Sequence, residues 1–178
     1  SRQRGGQKVP HFERFKRQGY FLAHRMMGSR PLVKDPLALL AAEWLYETFG
    51  VQPVVLIRHP AGFYSSVKRL GWGHDFNHFL LQPRVMERYL EGFREEIEDH
   101  AENEHPLLEQ MALQWRILYT IIHRYQEQHP EWLFVRYEDL CQNVLEGSEQ
   151  IYAHLSLPFE EGAKARIEKM SQAANPKE

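Results

Sequence analysis

The spacing of apolar positions predicts strands and helices in alternation over the first half of the chain. Val54–Ile57 form a continuous aliphatic run, the pattern of a parallel strand that is buried on both faces. Leu32 and Val33 predict a shorter strand before it, and the apolar positions spaced along 37–49 predict a helix between the two. A strand, a helix and a second strand in this order imply a parallel sheet with a right-handed crossover.

The second half of the chain carries mainly helical patterns. Its strongest signal is a series of apolar residues at alternating intervals of three and four: Leu108, Met111, Trp115, Leu118, Ile122 and Tyr125. This stripe predicts a helix that packs its apolar face in the core. Further helices are predicted at 84–99, 147–155 and 161–170, with a short buried strand at 132–135 and a loop suited to a substrate lid at 71–83. The sequence thus predicts one α/β domain over 1–178, with a largely helical C-terminal part.

Composition narrows the functional classes. The length of 178 residues with 43% hydrophobic positions suits a single domain with an ordinary core. A net charge of -2 argues against a general nucleic-acid partner, because such binding depends on many basic contacts to phosphates. Cys141 is the only cysteine, which excludes an intrachain disulfide, and we expect a buried thiol. No apolar run is long enough for a membrane span, so a cytoplasmic location is expected.

The end of the Val54–Ile57 strand and the start of the next helix combine the features of an anion site. Arg58 directly follows the strand, at the carboxyl edge where open α/β sheets bind ligands. Pro60 suits the first helical position, and a helix N-terminus attracts anions. Ser66 follows eight residues after Arg58, about two helical turns on. Arg58 and Ser66 are therefore predicted to reach one phosphate, the alternative being a surface cation and an ordinary helix serine.

Three segments together resemble the PAPS-dependent sulfotransferases, in particular the broad bacterial-type group. The pattern Arg58-x-Pro-x5-Ser66 is similar to the family's 3′-phosphate-binding segment, and RPLVKDP at 30–36 and FVRYEDL at 134–140 agree in order and approximate separation. The resemblance covers about residues 30 to 160. It implies a P-loop-NTPase-like parallel sheet flanked by helices. It also implies transfer of a sulfuryl group from the co-substrate PAPS to a hydroxyl or amine of a small-molecule or glycan acceptor.

The resemblance assigns roles to four residues. Arg58 and Ser66 would hold the 3′-phosphate of PAPS, and Tyr137 would lie near the adenine, the alternative being simple packing at a strand end. Lys34 would be the catalytic cation beside the transferring group, the alternative being an exposed strand-end lysine. No metal is expected, because the family chemistry needs none and His74 with His78 lacks a zinc-site pattern.

The general base is left unassigned. The better-known cytosolic members of the family place a histidine two residues after the matching lysine, where this chain has Pro36. Asp35, His74 and His24 are candidates, although Asp35 also suits the N-cap of the helix that follows it.

The Gly-rich loop that cradles the 5′-phosphosulfate in this family has no counterpart in the sequence. The domain is therefore expected to be incomplete at its N-terminus, and activity of this chain alone is in question. Two functions are open: a sulfotransferase, or a noncatalytic sulfotransferase-fold remnant or interaction domain that binds a 3′-phosphorylated nucleotide. A relative of the nucleotide kinases is disfavoured by the lack of a Walker loop.

Overall fold

The computed structural model describes residues 30–35 and 38–172, which belong to two compact units that are described separately. Residues 30–35 contain no helix or strand, so the strand predicted at Leu32 and Val33 is wrong. Leu32 and Val33 are 86% and 71% exposed. Two apolar residues are a weak strand signal because only a hydrogen-bonded neighbour holds an extended segment in a sheet.

The larger unit is mixed α/β and mostly helical. In chain order its regular elements are α1 (Ala42–Phe49), β1 (Val54–Ile57), α2 (Pro60–Leu70), α3 (Asn77–Leu80), α4 (Pro83–Val85), α5 (Arg94–Glu102), α6 (Leu107–Gln128), β2 (Leu133–Arg136), α7 (Tyr137–Gln142), α8 (Val144–His154) and α9 (Glu161–Gln172). Among the described residues, none of the helices is both long and apolar enough to cross a bilayer.

The helix predicted at 37–49 is confirmed over its described part. It opens with a 3₁₀ turn at Ala38–Ala41 and continues as α1. It ends at Gly50, which has a φ of 62° and donates its N–H to the carbonyl of Tyr46 at 3.0 Å. Glycine suits this position because the left-handed conformation has no side-chain penalty there. Pro36 lies outside the described residues, so the N-cap role of Asp35 stays a prediction.

The described sheet has two parallel strands, with Val54 opposite Leu133 and Ile57 opposite Arg136. The strand predicted at 132–135 is confirmed as β2, shifted by one residue to Leu133–Arg136. The expectation that β1 is buried on both faces is wrong, because Val55 is 9% exposed and Leu56 is 54% exposed. Successive strand residues face opposite sides of a sheet, and at Leu56 the outer side is uncovered. The described residues thus show a parallel α/β unit without the larger P-loop-like sheet.

Helix α6 runs through the core of the larger unit. The predicted stripe is confirmed at Met111, Ile122 and Tyr125, but Leu108 is 59% exposed. A second buried row lies beside the stripe, formed by Leu113, Ile117 and Ile121. The buried surface is wider than the stripe because α6 packs on several elements.

The single helix predicted at 84–99 is divided into shorter pieces. Met86–Leu90 form a π-helical turn and Glu91–Phe93 a 3₁₀ turn before α5 begins. Met86 and Leu90 are 2% and 0% exposed, so packing in the core accommodates the wider π-helical turn. Gly92 lies in the 3₁₀ turn, and glycine has a low preference for the α-helix. The C-terminal helices are confirmed as α8 and α9, and the segment 71–83, predicted to be a loop, contains the short helix α3.

We expect Ile117→Ala to lower the free energy of unfolding by about 2 to 5 kcal/mol, because it removes three carbons from a fully buried site and leaves a cavity. Leu108→Ala, an equally large deletion on the exposed first turn of the same helix, should cost much less. Urea denaturation of both variants measures the difference. Equal losses would show that α6 is not oriented as described.

Candidate anion-binding site

The register of the two strands makes Arg58 and Tyr137 neighbours at the carboxyl end of the sheet. Ile57 pairs with Arg136, and each strand ends there. The guanidinium carbon of Arg58 lies 4.7 Å from the centre of the Tyr137 ring, within the range of a cation–π contact. Tyr137 begins α7 and is 39% exposed. An arginine and an aromatic ring thus meet at a solvent-accessible edge of the sheet.

Arg58 and Ser66, the two residues predicted to share a phosphate, are in direct contact. Nη1 of Arg58 donates to Oγ of Ser66 at 3.3 Å, and both residues are half-buried. Pro60 occupies the first position of α2, and Nδ1 of His59 accepts the N–H of Ala61 at 3.2 Å. The strand end and the helix start therefore fix the two donors on the same side of α2.

Gly62 leaves space for the Arg58 side chain. A Cβ at this position would lie 3.1 Å from Nε of Arg58, which is tighter than nearly all real contacts of a Cβ. That same Nε is buried and has no hydrogen-bond partner among the described residues. A buried unpaired donor is uncommon and often marks a site completed by water or a ligand.

Helix α6 holds the backbone at Arg58. The carbonyl oxygen of Arg58 accepts the hydroxyl of Tyr119 and Nε1 of Trp115, the latter at 3.3 Å, and the two rings stack at 3.9 Å. Burial raises the pKa of the Tyr119 hydroxyl, which keeps it protonated as a donor. The assignment of Trp115 to the core stripe is thus wrong, because its half-buried ring faces Arg58.

Sequence reasoning did not find Tyr119. Its only local signal is its place four residues after Trp115, which puts both side chains on one face of the helix. The carbonyl that they share is 61 positions away from Tyr119 in the chain.

Glu138 fixes the first residue after Arg58. Its Oε1 accepts the backbone N–H of His59 at 3.0 Å, so the start of α7 is tied to the start of α2. The His59 amide favours the charged carboxylate and thereby lowers the pKa of Glu138.

The catalytic candidates are not brought together by the described contacts. Lys34 and Asp35 belong to the unit at 30–35, which is described separately, and His24 lies outside the described residues. The catalytic role of Lys34 stays a prediction, and Lys34 does not follow a strand, because residues 30–35 contain none.

His74 lies in an aromatic cluster. Its ring lies 4.7 Å from that of Phe76 and 4.9 Å from that of Phe79, and its Nδ1 is 3.2 Å from the Gln114 amide nitrogen. Burial lowers the pKa of His74, which favours the neutral imidazole. These contacts are those of a packed residue, and its role as the base stays a prediction.

Cys141 was expected to be a buried thiol, and this expectation is wrong. It is exposed, because the short helix α7 buries none of its residues. Its thiol interacts with Tyr137 and raises the pKa of that hydroxyl, so Tyr137 is neutral at physiological pH.

No protein-family model, no curated protein and no solved structure matches this chain.

We expect Tyr119→Phe to lower the free energy of unfolding by about 0.5 to 1.5 kcal/mol, since the Arg58 carbonyl loses one donor and keeps Trp115. Tyr152→Phe is the matched control, because the Tyr152 ring contacts Phe159 in a peripheral part of the fold. Urea denaturation of both variants provides the comparison. Equal stability of the two variants would contradict the described role of Tyr119.

The lowered pKa of Glu138 predicts a pH-dependent contribution to stability. A carboxyl whose folded-state pKa is depressed contributes stability above its unfolded value, near 4.5, and loses that contribution as the pH falls through the folded value. Glu138→Gln keeps an acceptor for the His59 amide but cannot titrate. We expect the stability gap between wild type and this variant to shrink as the pH falls from 6 to below about 4. Thermal unfolding across this range measures the gap, and a gap that widens on acidification would contradict the assignment.

Proposed function

We propose that this chain is a PAPS-dependent sulfotransferase with a P-loop-NTPase-like α/β fold, in which Arg58 and Ser66 bind the 3′-phosphate of the nucleotide. The observation that carries the proposal is the 3.3 Å contact between the Arg58 guanidinium and the Ser66 hydroxyl at the carboxyl edge of a parallel strand. The resemblance of the three sequence segments supplies the identity of the nucleotide and of the group transferred.

The chemistry of the two donors suits a phosphate dianion. A guanidinium presents N–H groups in a planar fork that matches phosphate oxygens, and its hydrogen bonds to an anion are stronger than those to a neutral hydroxyl. Donors as close as Nη1 and Oγ are within reach of oxygens of one phosphate. A phosphate oxygen would also give the buried Nε of Arg58 the acceptor that none of the described residues supplies.

Tyr137 supports a nucleotide over free phosphate. Tyr137 lies beside the Arg58 guanidinium and is 39% exposed, so an aromatic residue next to the proposed phosphate site is accessible to a ligand. Adenine would stack or hydrogen-bond there while its ribose carries the 3′-phosphate to Arg58. A nucleotide with a 3′-phosphate would use both groups: the Tyr137 ring for its base, and the Arg58 and Ser66 donors for its phosphate.

The proposed reaction is an in-line transfer of a sulfuryl group. A bond forms between sulfur and the acceptor oxygen or nitrogen, and the bond between sulfur and the bridging oxygen of the 5′-phosphate breaks, releasing adenosine 3′,5′-bisphosphate. The acceptor proton leaves to a base that stays unassigned. Lys34 is proposed, from the resemblance, to neutralise charge on the departing phosphate.

Nucleotide selectivity tests the site directly. Adenosine 3′,5′-bisphosphate should raise the thermal unfolding temperature, whereas 5′-AMP, which lacks only the 3′-phosphate, should do so much less at equal concentration. The 2′,5′-bisphosphate isomer has the same charge and controls for nonspecific attraction. Equal shifts with the 3′,5′- and 2′,5′-isomers would overturn the assignment.

Arg58→Ala should weaken binding of the 3′,5′-bisphosphate by about 1.5 to 3 kcal/mol, or tenfold to 150-fold, and Ser66→Ala by about tenfold, because each removes a hydrogen bond to an anion. Arg69→Ala and Ser65→Ala are matched controls, since both side chains are exposed on the same helix. Isothermal titration measures all four variants. Arg58→Ala and Ser66→Ala should bind 5′-AMP, which lacks the 3′-phosphate, as tightly as the wild type does. Weaker binding of 5′-AMP would show that the two residues act on the fold instead of on the 3′-phosphate.

Turnover separates an enzyme from a nucleotide-binding protein. Release of adenosine 3′,5′-bisphosphate from PAPS, measured with hydroxyl and amine acceptors, would support the transferase. Selective binding without release would favour the noncatalytic alternative.

A further inference from the structure

A second cluster of chemically active side chains lies where α5 ends and α6 begins. Asp99 and His100 are on the last turn of α5, and His105 is in the short connection to α6. Each offers one ligand atom, and these atoms lie within 4.8 Å of one another. None of these residues contributes to the contacts described around Arg58. The histidines His74 and His78, which lack a zinc-site pattern in the sequence, are not part of this cluster.

The other nitrogen of each imidazole is already occupied. Nδ1 of His100 lies 2.9 Å from the carbonyl oxygen of Glu96, which can only accept, so this nitrogen carries the proton. Nδ1 of His105 lies 3.3 Å from a carboxylate oxygen of Glu109, which favours the same arrangement. A proton at Nδ1 leaves the lone pair of a neutral imidazole at Nε2. Metal-binding histidines are commonly oriented by such contacts.

Both Nε2 atoms are buried and have no hydrogen-bond partner among the described residues. Oδ2 of Asp99 lies 3.0 Å from Nε2 of His105 but not in hydrogen-bond geometry. Two buried acceptor nitrogens beside one carboxylate oxygen are a costly arrangement unless a cation or protons occupy the space between them.

We propose that Asp99, His100 and His105 bind a divalent ion of the zinc type through one carboxylate oxygen and two Nε2 atoms. Two imidazoles and a carboxylate are a ligand set that Zn²⁺ accepts, with water in the fourth position. The rings stack at 3.8 Å and 9°. Ion binding requires them to tilt apart, since each lone pair lies in the plane of its own ring and must point at one centre.

The bound ion would tie together the end of α5, the connecting loop and the first turn of α6. His100 also contacts the buried Phe76 ring at 5.0 Å, so the site adjoins the core. The ion would therefore stabilise the folded state, and variants of its ligands would leave the residues proposed for nucleotide binding unchanged, because the two sites share no residue.

The competing explanation is a protonated His105 held between the carboxylates of Asp99 and Glu109, at 3.0 and 3.3 Å. Such an ion pair needs no metal and would not select among cations. It predicts no affinity for Co²⁺ or Zn²⁺ above that of exposed histidines.

The test uses metal-free protein carrying Cys141→Ser, which removes the exposed thiol as a competing ligand. Titration with Co²⁺ should give visible absorption of a tetrahedral or five-coordinate complex that saturates at one equivalent, and Zn²⁺ should displace the colour. Competition with a chromophoric chelator gives the affinity, and Zn²⁺ should raise the unfolding temperature. Absence of a saturable one-to-one complex would overturn the proposal.

Variants locate the ion. His105→Ala should reduce Zn²⁺ affinity by more than about 100-fold, and Glu109→Gln, which only orients His105, by about tenfold. Asp99→Asn is the second ligand variant and is mild for the fold, because the Asp99 side chain is 53% exposed. His123→Ala is the control, since His123 pairs with Glu127 on the exposed surface at 3.7 Å. Unchanged Zn²⁺ affinity in Asp99→Asn and His105→Ala would refute the assignment, whatever their stability.

Discussion

The register of one pair of parallel strands determines the geometry of the candidate nucleotide site. Because Ile57 lies opposite Arg136, the residues that follow are neighbours across the end of the sheet. Arg58 meets Tyr137, and the His59 amide meets Glu138, as the two contacts show. A shift of one residue would turn alternate side chains to the opposite face and separate both pairs. The burial of Val55 and Val135 opposes such a shift, so the core specifies where the guanidinium lies.

Helix α6 connects the stability of the core with the geometry of the site. One side of it buries Ile117 and Ile121, and a neighbouring side presents Trp115 and Tyr119 to the carbonyl of Arg58. The backbone of Arg58 is held by these two donors, whereas among the described residues its side chain hydrogen-bonds Ser66 and lies over the Tyr137 ring. A fixed backbone with an exchangeable side-chain partner suits anion binding, because little ordering remains to be done when the ligand arrives.

The parts of the site that are encoded locally could be predicted from the sequence. An aliphatic strand, a proline and two helical turns suffice to bring Arg58 and Ser66 together, and the spacing of apolar residues located α6 and β2. Contacts between distant segments gave no such signal. In the sequence Trp115 has the spacing of a core residue, and nothing local indicates that its Nε1 donates to the carbonyl of Arg58. The exposure of Leu56 depends on how many elements cover the sheet, which no run of four residues reveals.

The proposed metal site acts on the same helix, which gives the two sites a physical connection without shared residues. Glu109 lies ten positions before Tyr119, about 15 Å along α6 at the rise of an α-helix. An ion held by His105 would restrain the first turn of α6, and a rigid helix would carry a change in the position of that turn to its middle. Any resulting coupling must be reciprocal, so a nucleotide that orders Arg58 and Tyr119 would favour the ion to the same extent.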